Sequence, residues 1–84
     1  MKFGQVLREL RLLAGMSQEQ LGLNSGYHRT YISLLERGKK SPSLNAIFRL
    51  AAALQTSPSE IIRRVEQDIK RLVEAKARRK GQTK

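Results

Sequence analysis

Along the first stretch of the chain, Phe3, Val6, Leu7, Leu10, Leu13 and Ala14 recur at helical spacing, with Lys2, Arg8, Glu9 and Arg11 mostly between them. That pattern predicts an amphipathic helix. Gly15 ends it, since glycine is the usual residue just past a helix terminus, and Met16 is expected to fold back as an apolar plug. Ser17 opens a second helix, because Gln20 stands three residues later and each side chain can satisfy an orphan backbone donor of the other. Leu21 and Gly22 set an apolar side chain beside a residue with none, as a second helix crossing at close range requires. In Asn24-Ser25-Gly26, Gly26 is free to take the positive φ of a sharp turn. A third helix is expected over His28–Glu36, burying Ile32 and Leu35, with Tyr27 packed at its entrance and Arg29, Thr30 and Ser33 on other faces. Residues 18–37 therefore read as helix, tight turn, helix.

Arg37-Gly38-Lys39-Lys40-Ser41-Pro42 then breaks the periodicity and concentrates positive charge in a basic loop. Ser43 can cap a fourth helix whose apolar residues Leu44, Ile47, Phe48, Ala51 and Leu54 make a face broad enough to close over the other three, most of them as core. Ser57-Pro58-Ser59-Glu60 is a capping box with proline at the first helical position. The fifth helix it starts is uninterrupted from Pro58 to Lys80. Ile62, Val65, Ile69 and Leu72 step by 3, 4 and 3, which is heptad spacing, and Ile61 and Val73 widen the stripe. A second copy of the chain is the expected cover for Ile62, Val65, Ile69 and Leu72, because so small a domain has little core left for them; its own domain is the alternative. Lys76, Arg78, Arg79, Lys80 and Lys84 form a basic end over residues 76–84, expected to fray after Gly81 and either to be solvated or to touch phosphate without specificity.

Composition narrows the function. In 84 residues, 17 Lys and Arg against 7 Asp and Glu give a formal net charge of +10, which points to nucleic acid first and an anionic membrane second. Glu66, Asp68 and Glu74 on the polar face of the fifth helix argue against the lipid surface. No run approaches the roughly 18 apolar residues that span a bilayer, and Met1-Lys2-Phe3 lacks the apolar stretch of a signal peptide. A cytoplasmic, nucleoid-associated protein is expected. With no cysteine and a single histidine, thiolate and His-rich metal sites are excluded and no cofactor is expected. The acids Glu9, Glu19, Glu36, Glu60, Glu66, Asp68 and Glu74 are expected on solvent faces or in caps. No general acid, base or nucleophile is assembled, so an enzyme is not expected.

Taken together, Leu7-Arg8, Leu10-Arg11, Gly15 to Leu21, Ser25-Gly26, Arg29 to Ser33, Glu36 to Lys39, Pro42, Leu50-Ala51 and Leu54 resemble the Cro/cI-like (XRE-type) helix-turn-helix family of phage-repressor type. The resemblance runs from Phe3 to Ile62, about three quarters of the chain. It implies an all-α, compact five-helix, lambda-repressor-like domain, here with an extended C-terminal helix. Its second helix would lie across the DNA backbone while the third enters the major groove.

Gln18 matches the family's phosphate-binding glutamine. His28, Arg29, Thr30 and Leu34 stand in its base-reading positions. Of these Arg29 is the strongest reader, since its planar fork matches O6 and N7 of guanine. His28 departs from the usual Ser or Thr cap; because histidine caps poorly, it is expected to reach a phosphate instead. Leu34 departs from a polar reader and is left with apolar contact to a thymine methyl. Tyr31 either reaches the DNA or packs on the fourth helix. Ser33, Arg37, Lys39 and Lys40, with the backbone N–H groups at Ser43, are expected to position the DNA backbone. Arg11 and Glu36 match a structural pair that joins the first and third helices.

The expected function is a sequence-specific regulator of transcription that binds double-stranded DNA as a homodimer on a near-palindromic operator. Residues 1–62 are the expected DNA-binding domain, and residues 63–84 the extension of helix five with its basic tail, expected to dimerise. Arg29 to Ser33 in a small lone domain look like restriction–modification controllers, with phage-type repressors close behind. The alternative is an antitoxin or adaptor on the same fold, using helix five to bind a different protein partner.

Overall fold

Five helices follow one another as α1 (Phe3–Leu13), α2 (Gln18–Ser25), α3 (Arg29–Glu36), α4 (Leu44–Ala53) and α5 (Pro58–Gln82). The computed structural model describes the backbone of residues 2–82 and the side chains of residues 2–77; among them there is no strand. Local chemistry sets most of the helix ends. The Ser17 hydroxyl accepts from the Gln20 N–H at 3.0 Å while the Gln20 amide oxygen accepts from the Ser17 N–H at 3.1 Å, the reciprocal box expected from the spacing. Gly26 takes φ +80° at the end of α2, as a left-handed turn requires. Ser43 caps α4 by accepting from the Ala46 N–H.

The box at the start of α5 is only half formed. Ser57 Oγ accepts from the Glu60 N–H at 3.1 Å, but the Glu60 carboxylate turns away to accept from Arg63 and Arg64. Two guanidinium groups within one turn are stronger partners than a single amide.

The core draws on all five helices: Phe3, Val6 and Leu7; Leu21; Ile32 and Leu35; Ile47, Leu50, Ala51 and Leu54; Ile61 and Val65. Met16, Leu10, Tyr27 and Tyr31 pack against its margin. Two parts of the expected core lie outside it. Leu13 is 77% exposed at the end of α1, on the side of that turn away from Arg11 and its partner Glu36, and Ala14, which follows it, is exposed as well. On α4, Leu44 and Phe48 face solvent while Ala46 and Leu50 are fully buried. That helix is apolar on most sides, so its period alone could not say which edge meets α2 and α5.

The crossing of α1 and α3 is closer than side chains allow. A Cβ added at Gly4 would overlap the Leu35 carbonyl oxygen and come within 2.7 Å of that of Glu36. Gly22 plays the same part for α2 and the segment leading into α3, where a Cβ would stand 2.5 Å from the Tyr27 carbonyl oxygen and 3.2 Å from the Arg29 nitrogen. The backbones of α1, α2 and α3 are thus held at fixed separations.

With 25 residues, α5 is about 37 Å long at the ordinary helical rise. Its first two turns belong to the core through Ile61 and Val65. Val65, expected at an interface with a second copy, is 9% exposed and packs inward, because it follows Ile61 by one helical turn and shares its face. Ile62, Ile69, Leu72 and Val73 remain about half exposed or more. The helix continues through Gln82, past the expected fraying point at Gly81; the side chains of Arg78, Arg79 and Lys80, and all of Lys84, lie outside the described residues.

Candidate nucleic-acid interface

The brace that holds α3 starts from Glu36. Its carboxylate accepts from Arg11 Nε at 2.6 Å and Nη2 at 3.0 Å, and also from Gln18 Nε2 at 3.1 Å. Arg11 Nη1 donates to the Met16 carbonyl at 2.9 Å. One carboxylate therefore joins α1, α2 and α3. The two side chains are 10% and 4% exposed, so Glu36 is a buried acid, not the solvent-facing one expected. The hydrogen bond to Glu36 raises the pKa of Arg11, which holds the guanidinium in its charged form. The Arg11–Glu36 match is a structural pair with buried geometry; the bond from Gln18 was not foreseen.

The first turn of α3 is set by His28. The helix begins at Arg29 rather than at His28, and His28 is its N-cap: Nδ1 accepts from the Thr30 N–H at 3.1 Å. The expectation that His28 caps poorly and turns to a phosphate instead is corrected here: its ring makes the cap bond. An unprotonated ring nitrogen one bond from Cγ is as well placed to accept from a backbone N–H as an asparagine oxygen. With Nδ1 occupied, only Nε2 remains for a contact outside the protein.

Arg29 and Thr30 are exposed, and with Gln18 and Ser33 they line one shallow cavity of about 250 Å³ between the first turns of α2 and α3. The fold brings these four residues together. Leu34 is half-buried and lies outside that cavity. Arg37, Lys39 and Lys40 are exposed on the loop that follows α3, with Arg37 Nε directed to the Ser33 carbonyl at 3.4 Å. The Ser43 hydroxyl is committed to its cap, so what it offers outward is the N-terminus of α4.

Tyr31 packs, but its ring partner is Tyr27, in the turn before α3, and not a residue of the fourth helix. Its ring lies against that of Tyr27, centroids 4.8 Å apart and tilted by 44°, at the core margin rather than wholly in solvent. Burial, then the neighbouring Tyr27, raise the pKa of the Tyr31 phenol, so its O–H remains a donor. Lys40 Nζ stands 5.7 Å from the centre of the Tyr31 ring, within cation–π range.

A helix-turn-helix family model matches residues 7–61. Control protein C.BamHI of Bacillus amyloliquefaciens is 43% identical over 61 residues, which are 71% of this chain and 75% of that protein. Control protein C.SmaI of Serratia marcescens is 41% identical over 58 residues, 69% of each chain. Among solved structures, the restriction-modification controller protein C.AhdI from Aeromonas hydrophila superimposes with a TM-score of 0.70 at 50% identity, over 71% of this chain and 91% of that one. The chain belongs to the XRE-type helix-turn-helix family of DNA-binding regulators.

In this helix-turn-helix protein the sequence pattern missed one residue beside the motif. Arg49, on α4, donates from Nε to the Ser25 carbonyl at 3.0 Å and from Nη2 to the Gly26 carbonyl at 3.1 Å. Its guanidinium also lies over the Tyr27 ring, 4.3 Å from the centroid. As an isolated Arg in a run of apolar residues it carried no motif; only the cluster of turn carbonyls it meets distinguishes it. Among the described residues no helix is long and apolar enough to cross a membrane.

Proposed function

We propose that this regulator binds double-stranded DNA sequence-specifically as a homodimer, with α3 in the major groove and α2 across the backbone. The observation that carries the reading is the shared concavity of Gln18, Arg29, Thr30 and Ser33. Two of these residue types suit base edges and two suit phosphate oxygens. Arg29 reads guanine, Thr30 offers a hydroxyl or a methyl, and Tyr31 and His28 Nε2 supply secondary contacts. Leu34, outside the concavity, contributes at most apolar contact to a thymine methyl. Arg37, Lys39, Lys40 and the N-terminus of α4 at Ser43 hold phosphates.

Residues 1–62 make the DNA-reading unit, and α5 beyond them is the dimerisation arm, offering Ile62, Ile69 and Leu72 to a second copy. Two recognition helices related by a two-fold axis would meet half-sites about 34–36 Å apart on a near-palindrome. Similarity to the controller proteins C.BamHI, C.SmaI and C.AhdI supports a controller over a phage-type repressor.

The test is selection of duplexes from a random pool, followed by affinity measurements with Arg29→Ala and Lys39→Ala. Arg29→Ala should cost about 1–3 kcal/mol at one base pair per half-site and relax preference there. Lys39→Ala should weaken all sequences alike and lower the salt slope by about 1. Equal loss on every sequence from Arg29→Ala would sink its role as a base reader.

A further inference from the structure

From α4, Arg49 reaches the turn of the helix-turn-helix. The carbonyls of Ser25 and Gly26 lie at the C-terminal end of α2, where backbone acceptors lack helical partners and the helix dipole is negative. Arg49 supplies both a cation and two donors there, at 3.0 and 3.1 Å. Its fork fits two adjacent carbonyls as a lysine ammonium could not.

On the far side of that fork the chain runs straight into the reading positions. Gly26 has φ +80°, and with no Cβ it can leave that conformation at little steric cost. Tyr27 follows, its N–H bonded to the Gly22 carbonyl at 2.8 Å and its ring covered by Arg49. Next come His28, whose ring caps α3, and then Arg29 and Thr30. Tyr27 in turn packs on Tyr31, one helical turn into α3, which Lys40 approaches. A ladder Arg49–Tyr27–Tyr31–Lys40 therefore runs from α4 across the entrance of α3 to the basic loop.

We infer that Arg49 is a positioning residue for DNA recognition: by clamping the Ser25–Gly26 turn and the Tyr27 ring it fixes the angle at which α3 presents Arg29 and Thr30. The inference rests on the DNA-reading role proposed above. Two of the Arg49 N–H groups are donated to the turn carbonyls and one face of its guanidinium lies on Tyr27, and the salt slope of DNA binding separates this clamp from a phosphate contact. A rotation of α3 about Gly26 would displace Arg29 relative to a base edge, whereas phosphate contacts from long lysine side chains would tolerate it.

Two measurements on the full chain test this. In the free protein, Arg49→Met, which keeps the stem and removes the fork, should speed amide exchange at Tyr27, Thr30 and Tyr31, the hydrogen-bonded amides of this segment, by about tenfold, while amides of α1 keep their protection. On DNA, Arg49→Met and Arg49→Lys should both lower the ratio of affinities for the wild-type-selected duplex and a scrambled duplex by about tenfold. Arg49→Lys should keep the wild-type salt slope and scrambled-duplex affinity. Equal loss on both duplexes with a reduced salt slope would overturn the inference in favour of a phosphate contact. A lowered Tm with exchange raised uniformly and the ratio unchanged would overturn it in favour of plain stability. A wild-type chain that selects no sequence would count against the DNA-reading proposal, and the exchange measurement would then decide the clamp by itself.

Discussion

Arg11 and Glu36, 25 residues apart in the chain, meet in a bidentate ion pair of 2.6 and 3.0 Å that is nearly closed to solvent. Exposed pairs contribute under about 1 kcal/mol, so burial decides the magnitude here. Removing one partner leaves the other charged and desolvated, which costs about 3–5 kcal/mol. Arg11→Ala and Glu36→Ala should each destabilise by that amount in urea unfolding, and the double variant should lose much less than the sum. Additive losses would mean that the two groups do not act as a pair.

Gly4 makes a separate prediction, because the obstacle to a side chain there is backbone. Gly4→Ala should push α1 from α3 and weaken the Arg11–Glu36 brace, costing about 1–3 kcal/mol as an overpacked contact. Helix propensity alone would have favoured alanine by about 1 kcal/mol. Stabilisation on substitution would show that the two helices can move apart freely.

Val65 and Ile69 lie one turn apart on α5 and should behave oppositely. Val65→Asp places a charge in the core and should unfold the chain. Ile69→Asp lies on the half-exposed stripe and should leave the fold intact while converting the proposed dimer to a monomer by sedimentation. A wild type already monomeric at high concentration would refute pairing through α5.

Acid should loosen the start of α5. The hydrogen bond from Arg63, then its charge and Arg64, lower the Glu60 pKa below the ordinary 4.5. The folded state therefore binds this proton less readily than the unfolded one, and the stabilisation is present above pH 4.5 and lost as pH falls through the lower folded value. Wild type should exceed Glu60→Gln in Tm at neutral pH by a small margin, since these groups are exposed, and the margin should close in acid. A margin that persists below that range would assign it to something other than the ion pair.

The features legible in the residues are those whose partners lie within one or two turns. Ser17 and Gln20 find each other across three residues, Gly15 and Gly26 mark turns that need positive φ, and Ile32 and Leu35 bury as their spacing predicts. Arg11 and Glu36 are too distant for local pattern, and only the family resemblance pointed to them. His28 was misjudged because a cap depends on where one ring nitrogen is aimed, which residue type alone does not state.

By itself, then, the sequence determined an all-α chain with a helix-turn-helix at 18–37, the capping box at its start, its turn glycine and its basic loop, because each depends on short-range backbone geometry and on net charge. Tertiary structure decided which edge of each apolar stripe is covered. It turned Val65 inward and left Ile69 out, buried Leu50 while exposing Phe48, and brought Gly4 against Leu35 and Arg49 over Tyr27. Helical periodicity specifies the direction of a face only to about a third of a turn. What meets that face is set by the other helices, whose positions no local pattern encodes.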